Sequence, residues 1–187
     1  MSNPPNEVDY EALLDIGQQL LTAVGANLED PSLKDTPRRY ANFWREFIEY
    51  DPGKIDTSFA ETRSGKMIIV SGMRIWSLCE HHLLPFWADV SIAYIPKGNV
   101  LGLSKFARIA HQYAHQLQIQ ERLVSQIADD VTKLTKTNSV AVMATGVHTC
   151  MVMRGIKTDG RMTTLDTRGA FEDEPHLCER FLLLADK

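Results

Sequence analysis

The chain has 187 residues, of which 44% are hydrophobic and 24% charged, with a formal net charge of −4. That length bounds it to one domain, with room for a small helical appendage and a real core. The mildly acidic balance excludes a broad nucleic-acid footprint, because covering many phosphates needs a surplus of Lys and Arg. A small anionic ligand stays open, since a few local cations suffice. No apolar run approaches the roughly 20 residues that cross a bilayer. Three cysteines, an odd number, fit a disulfide framework poorly. Met1 to Asn6 lacks the basic and apolar regions of a signal peptide, so the expectation is a cytoplasmic protein with no membrane partner.

In chain order, residues 1 to 6 read as a tail. Leu13, Ile16, Leu20 and Val24 recur at helical spacing between Val8 and Val24, with Gly25 as a stop. Thr36-Pro37 reads as an N-cap followed by a first-turn proline. The stripe of Tyr40, Phe43, Trp44 and Phe47 behind it reads as packing surface. Lys54 to Gly65 carries no strong signal. From Lys66 the period shortens. Met67 to Val70 and Arg74 to Leu78 read as strand, and Trp87 to Ile95 as its antiparallel partner. Helices are expected from Ser104 to about Leu117 and from about Gln120 to Lys136. Val140 to Thr145 and Thr149 to Arg154 read as strands again, and Pro175 to Leu184 as a closing helix. This alternation predicts an α+β layer, divided into an N-terminal helical region over 1–60 and a catalytic domain over 61–187.

One short stretch concentrates chemistry. Leu78-Cys79-Glu80-His81-His82-Leu83-Leu84-Pro85-Phe86 holds a thiol and two imidazoles in a turn between strands. Far downstream, His148 and Cys150 sit two residues apart. Thiolate and imidazole donors together select zinc, and Cys79, His82 and Cys150 are the expected ligands. Three protein ligands leave the fourth tetrahedral position for water, as in catalytic and not structural sites. A lone Cys is usually a small buried hydrophobe, the reading given to Cys178, and His111, His115 and His176 read as solvated. If Thr149 to Arg154 is a strand, His148 and Cys150 share a face and enter one pocket. With His81 beside the ligand pair, two imidazoles suited to moving protons near neutral pH flank the metal, which points to hydrolysis.

Read together, five stretches resemble the GTP cyclohydrolase I family: Cys79 to Phe86, Ala93 to Pro96, Gly102 to Ile109, Gln118 to Leu123 and His148 to Gly155. They follow that family's order and spacing, and the similarity runs from about Thr36 to Phe171. The resemblance implies the tunnelling fold (T-fold): an antiparallel four-stranded sheet with two helices packed on one face, preceded by an N-terminal helical region. It further implies a toroidal homodecamer of two pentamers with active sites at subunit boundaries. The implied reaction opens the imidazole ring of GTP, releases C8 as formate and forms 7,8-dihydroneopterin triphosphate. Folate, pterin cofactors and 7-deazapurines all begin from that product.

The resemblance also assigns roles. Zn2+ on Cys79, His82 and Cys150 lowers the pKa of its water from about 15.7 toward roughly 7, less so because two thiolates neutralise the ion. His148 protonates the purine as attack occurs, His81 is a second proton carrier, and Ser104 serves the later ribose rearrangement. Glu121 and Gln120 read guanine. Lys105, Arg108 and Arg154 hold the triphosphate through charge-assisted hydrogen bonds, and Arg39 is a further candidate. Two departures stand out. His115-Gln116 replaces the family's frequent Arg-Arg, and the segment from Lys157 to Asp166 reads one residue short, which implies altered loop geometry near the phosphates. A related purine- or pterin-binding enzyme of the same fold is the nearest alternative. A non-enzymatic protein clamped by zinc is the alternative of another class.

Overall fold

The computed structural model describes residues 7–60 and 65–185. The tail read over residues 1 to 6 lies outside the described residues, as does part of the segment between Lys54 and Gly65. The chain clusters into two compact units that divide after Asp51.

The first unit is a helical pair, α1 (Tyr10–Ala23) and α2 (Thr36–Ile48). Asp9 caps α1, its side chain accepting from the Ala12 amide at 3.0 Å. A Cβ at Gly17 would lie 3.0 Å from Pro37 Cα, so glycine is what lets the two helices approach. Asp35, and not Thr36, occupies the cap position of α2, which moves Thr36 and Pro37 into the first turn. Of the aromatic stripe, Phe47 is buried and Phe43 is exposed, their rings stacked at 6.0 Å.

The second unit contains, in order, β1 (Ser58–Ala60), β2 (Ile68–Cys79), β3 (Pro85–Tyr94), β4 (Asn99–Leu101), α3 (Leu103–Ala114) and β5 (Leu117–Gln118). Then come α4 (Gln120–Thr135), β6 (Val140–His148), α5 (Thr149–Val152), β7 (Met162–Arg168), α6 (Ala170–Asp173) and α7 (Pro175–Ala185). The main sheet has the order β5-β2-β3-β6-β7. Its four long strands pair antiparallel, as expected, while the two-residue β5 adds a short parallel edge to β2. The sheet is therefore five-stranded and mixed, not a four-stranded antiparallel one. A separate ribbon pairs β1 with β4, in the segment that carried no signal.

Period-2 alternation sorts the long strands onto two faces. Ile75, Ala88, Val90, Ile92, Val142 and Ala144 face α3 and α4, meeting Phe106, Ile109, Leu123, Ile127 and Val131, all but completely buried. Burial of each large aliphatic side chain contributes about 1.5–3 kcal/mol, which is why these two helices lie flat on the sheet. The alternate residues Ala93 and Ala141 face the other way, against Phe171 and Phe181 of α6 and α7.

One strand was misplaced by the sequence reading. Thr149 to Arg154 is not extended: Thr149–Val152 forms one helical turn, closed by Met153 N–H donating to Thr149 O at 3.0 Å. The fourth long strand is Met162–Arg168, which overlaps the stretch read as an altered loop, and it pairs with β6 from Val140↔Arg168 to Gly146↔Met162. His148 therefore ends a strand while Cys150 rides on the helical turn after it, so the shared strand face expected for them does not exist.

Candidate metal centre and proton-transfer site

Register brings the distant residues together. β3 lies between β2 and β6, with Phe86 opposite both Ser77 and His148. The end of β2 that carries Cys79 and the end of β6 that leads into Cys150 thus meet across the start of β3. The turn after Cys79 is tight: Cys79 O accepts from Leu83 N–H at 2.8 Å and His82 N–H at 3.3 Å, and Cys79 N–H donates to Leu84 O at 2.9 Å. Leu83 takes a left-handed φ of 54°, a conformation costly for a side chain of its kind, and the reversal it makes throws His82 back beside Cys79. On the other side, the Thr149 hydroxyl donates to Pro85 O at 2.5 Å and fastens the helical turn that presents Cys150.

One ligand atom from each of Cys79, His82 and Cys150 lies within 4.8 Å of the others. Cys79 Sγ and His82 Nδ1 stand 3.5 Å apart. Tetrahedral zinc with its usual bonds to sulfur and nitrogen separates such a pair by about 3.6 Å, so the spacing fits the ion. Burial and the neighbouring Cys79 thiol raise the Cys150 pKa. A thiol whose ionisation is opposed in this way is at ease as a thiolate only beside a cation. The trio is partly open: Cys79 is buried, Cys150 half-buried and His82 exposed.

Around the trio, Arg154 Nη1 lies 3.1 Å from His82 Nε2. Glu80 pairs closely with Arg122 of α4, and its other oxygen lies 3.8 Å from His81 Nε2. Glu80 N–H donates to Gln118 O at 3.1 Å. The turn is thereby tied to the start of α4 through both backbone and side chain.

His148 stands at the end of β6, its ring stacked on Phe86 with centroids 4.4 Å apart and planes 9° off parallel. Burial lowers its pKa, and the Glu121 carboxylate opposes that shift, which puts Glu121 within electrostatic reach of the ring. Gln120 is wholly buried and its side chain does not reach an open surface; Oε1 lies 3.0 Å from His148 Nε2. Glu121, next along the helix, is exposed.

The remaining residues singled out in the sequence lie elsewhere. Ser104 is exposed in the first turn of α3. Lys105 Nζ donates to Lys54 O at 2.6 Å and Arg108 Nη1 to Pro52 O at 2.8 Å. The far end of α3 is the one near the metal turn: Ala114 O accepts from the Ser77 hydroxyl at 2.6 Å, two residues before Cys79. Ser104 thus lies about 15 Å back along the helix axis at 1.5 Å per residue. Arg39 pairs with Asp35 in the helical unit at 3.7 Å. His176 is exposed as expected, whereas His111 and His115 are half-buried with rings 5.5 Å apart. The sequence reading missed the Phe86 stack and the Glu80–Arg122 pair. Both residues lie in stretches already singled out, but nothing in their spacing announced the contacts.

An α+β chain that brings two thiols and an imidazole within 4.8 Å of one another, with a half-buried histidine alongside, has the donor set of a candidate metal site in an enzyme. Comparison with known proteins narrows it. The family model for GTP cyclohydrolase I matches residues 15–186. The GTP cyclohydrolase 1 of Hyperthermus butylicus is 43% identical over 163 residues, covering 87% of this chain and 83% of that protein. That of Dehalococcoides mccartyi strain 195 is 41% identical over 182 residues, covering 94% of this chain and 96% of the other. Among solved structures, an apo archaeosine synthase described as QueF-like aligns with a TM-score of 0.45 and 19% identity, over 56% of this chain and 96% of that one. The chain belongs to the GTP cyclohydrolase I family.

Proposed function

We propose that this protein is a zinc-dependent GTP cyclohydrolase I of the T-fold, opening the imidazole ring of GTP to give formate and 7,8-dihydroneopterin triphosphate. The observation that carries the reading is the convergence of Cys79, His82 and Cys150 to within 4.8 Å, from opposite ends of the sheet's sequence. Zinc held by these three residues would supply an acidified water as nucleophile near neutral pH.

The chain's own residues do the rest. The purine C8 is a poor electrophile, so the imidazole nitrogen beside it must take a proton as attack occurs; His148 delivers that proton, and His81 in the exposed turn carries a second. Glu121 accepts from the N1–H and exocyclic amine of guanine, an edge that adenine presents reversed. The Glu121 carboxylate acts electrostatically on the His148 ring, which supports base recognition beside proton transfer. Arg154, Lys105 and Arg108 bind the triphosphate. For Lys105 and Arg108 this means exchanging the carbonyls of Lys54 and Pro52 for phosphate oxygens. Ser104 acts in the ribose rearrangement that follows ring opening.

The 15 Å between Ser104 and the metal end of α3 supports a site completed by a second copy, in a homo-oligomer built as a toroidal decamer. We place the enzyme in the cytoplasm; no helix among the described residues is long and apolar enough to cross a membrane. The test is incubation of the zinc-loaded chain with GTP. Formate and, after oxidation, a fluorescent pterin are expected in equal amounts; a folded, zinc-replete sample that yields neither sinks the proposal.

A further inference from the structure

We infer that Gln120 is a positioning residue that fixes His148 with its proton on Nε2, leaving Nδ1 as the atom that exchanges a proton with substrate. The inference rests on the assignment of His148 as proton carrier, and it gives Gln120 a task other than reading the base.

The orientation of the Gln120 amide is settled by its surroundings. Nε2 lies 2.9 Å from Ala144 O, 3.0 Å from Met162 O and 3.1 Å from Thr164 Oγ1. Two of these are carbonyl oxygens, which only accept, so the amide must turn its NH2 toward them. A flipped amide would set its oxygen against both carbonyls in a site that is 0% exposed, acceptor facing acceptor. Oε1 is therefore the end that meets His148 Nε2 at 3.0 Å, and an acceptor there requires Nε2–H. In the neutral ring the lone pair then belongs to Nδ1.

Phe86 holds the ring plane from one face, so the imidazole cannot exchange its two nitrogens by turning over without breaking the 4.4 Å stack. The backbone makes room for this arrangement. A Cβ at Gly146 would come within 2.8 Å of Gln120 Oε1 and 2.4 Å of Trp87 O. The amide is anchored to β6 and β7 at one end and to the catalytic histidine at the other, a link between sheet and site that no motif spells out.

Two measurements test this. In zinc-loaded protein labelled with 15N-histidine, the His148 signals, assigned by their loss in His148→Ala, should show the tautomer protonated at Nε2; the Nδ1-protonated form overturns the inference. In steady-state kinetics, Gln120→Met should lower kcat by about tenfold or more while KM for GTP stays within about twofold and zinc content is unchanged. A raised KM with an intact kcat would instead make Gln120 a base-reading residue and overturn it. If His148→Ala keeps the wild-type kcat, the proton-carrier assignment itself is wrong and this inference falls with it. A dead His148→Ala beside a Gln120→Met of wild-type kcat overturns this inference alone. Should Gln120→Met fail to fold, the tautomer seen in the wild-type protein decides by itself.

Discussion

Cys150 offers the sharpest residue-scale test, because it is the one ligand contributed from far along the chain. In Cys150→Ala, zinc per chain measured by atomic absorption should fall from one toward zero. Turnover should drop by more than the roughly 10- to 100-fold that losing a mere supporting partner costs. Cys178→Ala, on α7 and outside the ligand trio, should leave both unchanged. Glu121→Gln separates recognition from chemistry. A hydrogen bond to a charged group is worth about 1.5–3 kcal/mol, so kcat/KM for GTP should fall roughly 10- to 100-fold. Inosine triphosphate, which lacks the exocyclic amine, should be discriminated against less by the variant than by the wild type. The trio was legible in the sequence because Cys79 and His82 announce each other by spacing and chemistry. Gln120 was not, since nothing in a sequence tells a glutamine on the buried side of a helix start from one facing solvent.

The elements that aim these residues make their own predictions. β6 runs so close to β3 that a Cβ at Gly146 would meet Trp87 O at 2.4 Å, and backbone cannot step aside as a side chain can. Gly146→Ala should cost about 1–3 kcal/mol, read as a lowered denaturation midpoint. It should also displace Gln120, so that activity falls in whatever fraction stays folded. In α3 and at its C-cap, burial lowers the pKa of both His111 and His115. The unfolded chain then binds more protons than the native one, so stability is full above the ordinary histidine value near 6.5 and declines as pH falls below it. Melting temperature followed across that range should drop on the acid side, and a His111→Gln, His115→Gln double variant should flatten the slope. Elements with clean periodicity, α3, α4 and β3 among them, were readable from the sequence. β7 was not, because Thr163, Thr164, Asp166 and Thr167 leave no apolar alternation to see. α5 read as strand because the β-branched Thr149 and Val152 favour extension in isolation. The anchor of Thr149 on Pro85 O, a contact 64 residues away, imposes the helical turn instead.

For the whole molecule, the consequential fact is the length of α3. Its C-terminal end touches β2 beside the metal turn, and its N-terminal end, with Ser104, Lys105 and Arg108, is carried about 15 Å away. In the proposed assembly, the triphosphate half of each site is supplied by another copy. If the two halves of each site come from different chains, Cys150→Ala and Lys105→Ala should each be inactive alone. Yet they should restore activity when dissociated, mixed in equal amounts and reassembled. Random pairing gives about a quarter of the sites an intact metal half facing an intact phosphate half, so recovery should approach about 25% of wild type. Light scattering on the same samples should report a multiple of the 21.1 kDa chain. Recovery of nothing, from variants that each reassemble to the wild-type mass, would mean that both sets serve one chain, and the path of the triphosphate would have to be redrawn.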